Sequence, residues 1–257
     1  MILAAILTLA LTPCVSAQAA APSDEGAVEA YRAGEYELAL ERWGELLGAA
    51  ELNTGERGRL LYNAGNAAGR SGSWHRAVAY YTEALREMPR DSDLWTNLEF
   101  ARREAGMEPA DRGDLGSTMR RLLTAWTEPE ARWLALSGSL LLLVTLLLEA
   151  LRGGRSARSG AWLGALCAVI SALPLLWHTQ TDDAAELYVV SEKGVAVRSE
   201  PKRGSKVIER AEAGSRRREV DRLSGWVGIE TTDGVKGWAP EDALLKLPRP
   251  PLESGDE

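Results

Sequence analysis

The apolar residues of this chain collect into three runs, residues 2–11, Trp133–Leu151 and Ala161–Trp177, with ordinary polar sequence between them. A single globule would spread such residues through its elements, so one core for the whole chain is a poor expectation. The second run holds 19 residues, which as a helix at about 1.5 Å per residue spans roughly 28 Å, close to the hydrocarbon thickness of a bilayer. Glu149 falls in its last turn, within reach of the headgroups. The third run carries no formal charge from Ser159 to Thr181 and has Trp162 and Trp177 near its ends, where indole rings favour the membrane interface.

Between these two runs lies R-G-G-R-S-A-R-S-G, with Arg152, Arg155 and Arg158 and no acid. A short basic loop belongs in the cytoplasm, so both flanking regions are expected on the opposite side. The first run leads independently to the same side. It is followed by Pro13 and a small-residue end at Val15, Ser16 and Ala17, which is the anatomy of a signal peptide over residues 1–17. Cleavage after Ala17 and retention as an anchor both fit; the Pro before Cys14 departs from a lipid-attachment site. Gly160, Gly164, Ala168 and Ala172 line one face of the last span and fit either close packing on the other span or a merely Ala-rich helix. The expected layout is a bacterial inner-membrane protein with spans at 133–151 and 161–181, a cytoplasmic loop at 152–160, and both polar regions extracytoplasmic.

The chemistry available to such a chain is sparse. Cys14 and Cys167 both sit in apolar runs, and only His75 and His178 supply imidazoles, so no disulfide framework, zinc site or nucleophile–base pair can be assembled from the sequence. No enzyme activity, cofactor or metal is expected. The formal charge of -7 is uneven: residues 23–116 hold 11 basic against 18 acidic side chains, residues 184–247 hold 12 against 11. Neither balance fits nucleic-acid binding.

The N-terminal polar region repeats itself. A-G-E-Y-E-L-A-L-E-R-W from Ala33 returns as S-G-S-W-H-R-A-V-A-Y-Y from Ser71 after 38 residues, and L-Y-N-A-G-N from Leu61 returns as W-T-N-L-E-F from Trp95 after 34. Helical units of that period stack into a solenoid. The stretch Arg59–Asp91 resembles the tetratricopeptide family, with Gly65, Gly72, Ala77, Tyr81, Ala84 and Pro89 at the positions of its motif. The resemblance implies an all-α array over 20–116, with its best repeat at 58–91 and a terminal helix at Asp93–Ala105. It also implies that partners bind on the concave face of first helices, where Tyr62, Asn66, Arg70, Asn97 and Phe100 are the candidates. An Asn can hold an extended peptide backbone through both groups of its amide; satisfying local turns and neighbouring helices would use it equally well.

From residue 184 to 247 short β-rich runs alternate with turn residues, as in a small all-β barrel. V-A-V-R-S-E-P from Val195, G-W-V-G-I from Gly225 and G-W-A-P-E-D-A-L from Gly237 resemble the bacterial SH3-like family. Trp226 is expected in its core, and Arg198, Trp238 and Pro240 on a binding groove. Residues 248–257 are expected to be a disordered tail. The whole order of segments resembles the membrane member of the aerotolerance (Bat) operon family. That resemblance implies a scaffold whose partners are von Willebrand A-domain membrane proteins and, through them, a MoxR-type AAA+ ATPase. The alternative is a cell-wall sensor that binds peptidoglycan through its SH3-like domain.

Overall fold

The computed structural model describes residues 23–49, 52–152, 155–181 and 186–247. The leader expected at 1–17 and the tail at 248–257 lie outside them. Five helices open the described chain: α1 (Glu25–Ala33), α2 (Tyr36–Ala49), α3 (Thr54–Arg70), α4 (Trp74–Glu87) and α5 (Ser92–Glu104). Each packs on the next. Their boundaries follow from local chemistry. Asn53 and Glu56 form a reciprocal capping box at the start of α3, and Asp91 accepts from the amides of Asp93 and Leu94 at the start of α5. Pro89 follows Met88, the residue that closes α4. Gly34, Gly72 and Gly106, 38 and 34 residues apart, all take left-handed φ at helix ends (83°, 81° and 69°), the conformation that glycine adopts without a side-chain penalty.

The core of this region is made of small residues facing large ones. Ala64, Ala67 and Ala68 of α3 and Ala77 and Ala84 of α4 are fully buried, and Trp43, Leu60, Leu61 and Leu94 fill the space between helices. At Gly65 the approach is closest, because the ring of Tyr81 occupies the volume a β-carbon would need.

A short helix, α6 (Leu115–Leu123), leads to two long ones, α7 (Glu128–Arg152) and α8 (Arg155–Thr181). Both long helices start earlier than their apolar runs, so the basic segment expected as a loop over 152–160 is helical from Arg155 onward. The reason is composition: Arg, Ser and Ala sustain a helix as readily as they form a loop. Among the described residues these two helices are long and apolar enough to cross a membrane. Only 11% and 17% of their most apolar windows are buried, whereas a core helix of a soluble globule would be covered. They pack against one another antiparallel through small residues. A β-carbon at Gly138 would collide with Ser171 and crowd Ala168, and one at Gly164 would collide with Thr145, while one at Gly160 would meet nothing within 4 Å among the described residues. At the open end of this hairpin, His178 Nε2 lies 2.9 Å from the Trp126 carbonyl, tying the exit of α8 to the approach to α7.

The C-terminal part is an antiparallel seven-stranded sheet: β1 (Glu186–Val189), β2 (Val195–Arg198), β3 (Val207–Ala211), β4 (Arg216–Leu223), β5 (Trp226–Glu230), β6 (Lys236–Pro240) and β7 (Leu244–Lys246). Spatial order is β3-β2-β6-β5-β4-β1-β7. Leu187 and Val189 of β1 share one buried cluster with Val195 and Val197 of β2, four places away in the sheet, and with Val227, Ile229 and Ala239. The sheet therefore curls around a single small core. Its other contact is with the helices. Tyr188 and Leu247 are buried in the helical core, and Tyr188 donates its hydroxyl to Glu83 of α4 at 2.7 Å.

Candidate functional site

Four of the five helical candidates come together. Asn66 and Arg70 of α3 and Asn97 and Phe100 of α5 line one groove of about 520 Å³, together with Tyr31, Tyr36 and Trp74. The grouping follows from helical spacing, since residues 66 and 70 of α3, and 97 and 100 of α5, each lie one turn apart on a single face. The groove has an apolar wall and a polar floor. Phe100 is 47% exposed and meets the ring of Trp74 edge-on at 5.6 Å. Tyr31 and Tyr36 make a second edge-on pair at 5.5 Å. The guanidinium of Arg70 donates to the Tyr36 hydroxyl at 3.2 Å from both Nε and Nη2 and lies 5.6 Å from the centre of that ring. That contact raises the Arg70 pKa still further, and a guanidinium is charged at any physiological pH in any case.

Tyr62 is in a different position from the one expected of it. Its hydroxyl accepts from Asn97 Nδ2 at 3.0 Å, and it supports the groove from behind. The two asparagines are also partly committed: Tyr81 donates to Asn66 Oδ1 at 2.8 Å, and Asn97 Nδ2 approaches the same oxygen at 3.4 Å. Burial pushes the Tyr81 phenol well above its ordinary pKa, so it stays a donor. Among the described residues, Asn66 Nδ2 and Asn97 Oδ1 make no hydrogen bond, which leaves one amide NH2 group and one amide oxygen for an extended backbone. Tyr31, Tyr36 and Trp74 are not among the candidates that the sequence offers, although the repeat aligns Tyr36 with Trp74. Aromatic residues at a repeat position read as filling, and which rims stay open is decided only by the stacking of α1, α3 and α5.

In the sheet, register overturns the expectation for both tryptophans. Val227, Ile229 and Ala239 point into the core, so the alternate positions Trp226, Trp238 and Pro240 point away from it. Trp226, expected in the core, is half-buried on the outer face beside its cross-strand partner Pro240. Trp238, expected on an open groove, is only 7% exposed. Its cross-strand partner Gly228 has no side chain, and the Lys236 ammonium sits 4.5 Å from its ring centre. Arg198 is paired with Trp238 across β2 and β6, but its Nη1 donates to the Ser205 carbonyl at 2.7 Å and clips the β2–β3 turn. Of the three expected groove residues, Trp238 is thus buried, whereas Arg198 and Pro240 remain partly exposed.

Among the described residues no three His, Cys, Asp or Glu side chains converge in a way that could hold a metal ion. Residues 191–246 match the profile of the bacterial SH3 domain. No curated protein and no solved structure matches the chain. The C-terminal sheet is thus a bacterial SH3 domain, preceded by a helical region and by two helices of membrane-spanning length.

Proposed function

We propose that the protein is a membrane-anchored adaptor without chemistry of its own, which grips an extended segment of a partner protein in the helical groove. The observation that carries this is the meeting of Asn66, Arg70, Asn97 and Phe100 with three further aromatic side chains in one open groove. Apolar rings supply contact area, the asparagine amides hold backbone, and Arg70 favours an acidic side chain or a chain terminus. The left-handed glycines at 38- and 34-residue intervals support reading the helices as a tetratricopeptide array. In the Bat-type arrangement that the order of segments resembles, von Willebrand A-domain membrane proteins would supply the bound segment and a MoxR-type ATPase would join through them. The basic stretch at Arg152, Arg155 and Arg158 supports a cytoplasmic turn and an extracytoplasmic position for both polar regions.

The test is a pull-down of the full-length protein from detergent-solubilised membranes. Phe100→Ala combined with Arg70→Glu alters exposed groove residues and should release the captured membrane proteins, which mass spectrometry would then identify. A double variant that keeps every partner removes the groove from the reading. The bacterial SH3 match favours a second reading, peptidoglycan binding by the sheet. Co-sedimentation of the wild-type protein with purified wall material, unaffected by the groove variant, would favour that reading.

A further inference from the structure

At the membrane-proximal end of the molecule a second cavity, about 660 Å³, lies between α4, α5, α6, the end of α8 and the start of β4. Its wall carries six guanidiniums, those of Arg86, Arg102, Arg112, Arg120, Arg121 and Arg216, against the carboxylates of Asp111 and Asp114. Both aspartates are occupied at the start of α6. Asp111 accepts from the Gly113 amide, the Ser117 hydroxyl and Arg121, and Asp114 accepts from the Ser117 amide at 2.6 Å. Glu83, Glu99 and Glu108 stand just behind, bound to Arg86, to the amides of Ala110 and Asp111, and to Arg112. Arg86, Arg112 and Arg121 are thus paired with Glu83, Glu108 and Asp111, whereas among the described residues Arg102 and Arg120 make no ion pair and donate instead to the Glu108 and Ala110 carbonyls. Burial lowers the pKa of Arg102, and an anion entering the cavity would relieve the unfavourable placement of that charge.

The same α6 that lends Arg120 and Arg121 to the cavity turns an apolar stripe outward. Leu115, Met119 and Leu122 recur at helical spacing and are 80%, 48% and 62% exposed. Trp126 and Trp133 continue this exposed apolar surface into α7, and Trp177 and His178 of α8 border the cavity. A helix with one apolar and one cationic face, placed at the entrance to a membrane span, has the chemistry of an interfacial helix. The described chain leaves Leu115, Met119 and Leu122 open, and α6 leads along the chain to the exposed apolar residues of α7.

We infer that this cavity is a binding site for the headgroup of an anionic phospholipid, with α6 lying in the membrane surface and its arginines reaching over the phosphate. The inference rests on the membrane-spanning reading of α7 and α8. Guanidinium forks match phosphate oxygens in geometry as well as charge, and the neighbouring apolar stripe provides the path for acyl chains. A free phosphate would use the arginines but gain nothing from Leu115, Met119 and Leu122.

The experiment uses the full chain in neutral detergent, with its melting followed by tryptophan fluorescence. Phosphatidylglycerol should raise the melting temperature by several degrees, whereas phosphatidylcholine of the same acyl chains and inorganic phosphate should not. Arg120→Gln with Arg121→Gln should remove most of that shift. If the pair unfolds the protein, Arg120→Gln alone carries the same comparison, since Arg120 donates to the Ala110 carbonyl at the surface. A bimane label on Met119→Cys in vesicles should be quenched by nitroxide-bearing lipids. Equal stabilisation by phosphatidylcholine, an equal shift from phosphate alone, a full shift in the arginine variants, or an unquenched label each overturns the site. Alkaline carbonate extraction reads the underlying assignment separately: release of the protein from membranes removes the membrane reading itself, whereas retention without headgroup preference removes only the lipid site.

Discussion

Gly65 shows how little slack the helical core contains. The space a β-carbon would occupy there is filled by the Tyr81 ring, which cannot swing away without breaking its hydrogen bond to Asn66. Gly65→Ala should therefore destabilise the protein by about 1–3 kcal/mol through overpacking, visible as a lower melting temperature with helical circular dichroism retained at low temperature. Gly65→Ala combined with Tyr81→Leu should recover part of that loss, because the obstructing ring is gone. An unchanged melting curve for Gly65→Ala would mean that α3 and α4 approach less closely than 65 and 81 indicate. This contact is legible in the sequence, where a small residue in one helix and a large one in the next recur at the repeat. The roles of Asn66 and Asn97 are less so. The sequence leaves open whether their amides face a ligand or their neighbours, because the tyrosine hydroxyls that claim one end of each come from other positions in the stack. Trp226 and Trp238 differ from expectation for a related reason. The SH3-like resemblance implies one in the core and one on a groove, but strand register puts both on the same outward face, where Lys236 lies over the Trp238 ring.

The elements themselves are easier to read than their ends. Apolar runs mark α7 and α8, but both helices extend beyond those runs, since Arg, Ser and Glu continue a helix once it has started. What joins the two helices is the pair of close contacts at Gly138 and Gly164. Small-residue spacing makes Gly164 a candidate, and Gly160 lies on the same face, but a β-carbon there would meet nothing within 4 Å among the described residues. The partners Thr145 and Ser171 cannot be chosen beforehand, because the sequence does not fix how far one span slides along the other. Replacing Gly164 with Leu should force the spans apart at Thr145, whereas Gly160→Leu should be tolerated. Melting of the full chain in neutral detergent, followed by circular dichroism, would measure this. The melting temperature should fall in the Gly164 variant and hold in the Gly160 variant. Equal melting of both variants would locate the interface elsewhere.

At the scale of the whole molecule, the helical region and the SH3 domain share a buried contact, and that contact contains a titratable group. His75 of α4 is buried, with Met107 and the Gly214 turn beside it. Burial lowers its pKa from the ordinary value, while the nearby Glu192 carboxylate pulls the other way. A histidine whose folded pKa is depressed binds protons more readily in the unfolded chain. Its contribution to stability is complete above its unfolded value, about 6.5, and is lost as the pH falls through the lower folded value. Glu87, whose carboxyl is pushed up by burial, works in the opposite sense, so the net slope of stability against pH does not isolate the histidine. The difference between proteins does. The full chain in neutral detergent should lose melting temperature between pH 7.5 and 5.5, a window set about the ordinary histidine value of roughly 6.5, and His75→Gln, neutral throughout, should lose less. If the variant falls by as much as the wild type, His75 is not the group that couples acidification to the contact between helices and sheet. Should the variant instead melt low at both ends of the window, loss of packing would account for the whole effect, and the pH dependence assigned to His75 would be withdrawn.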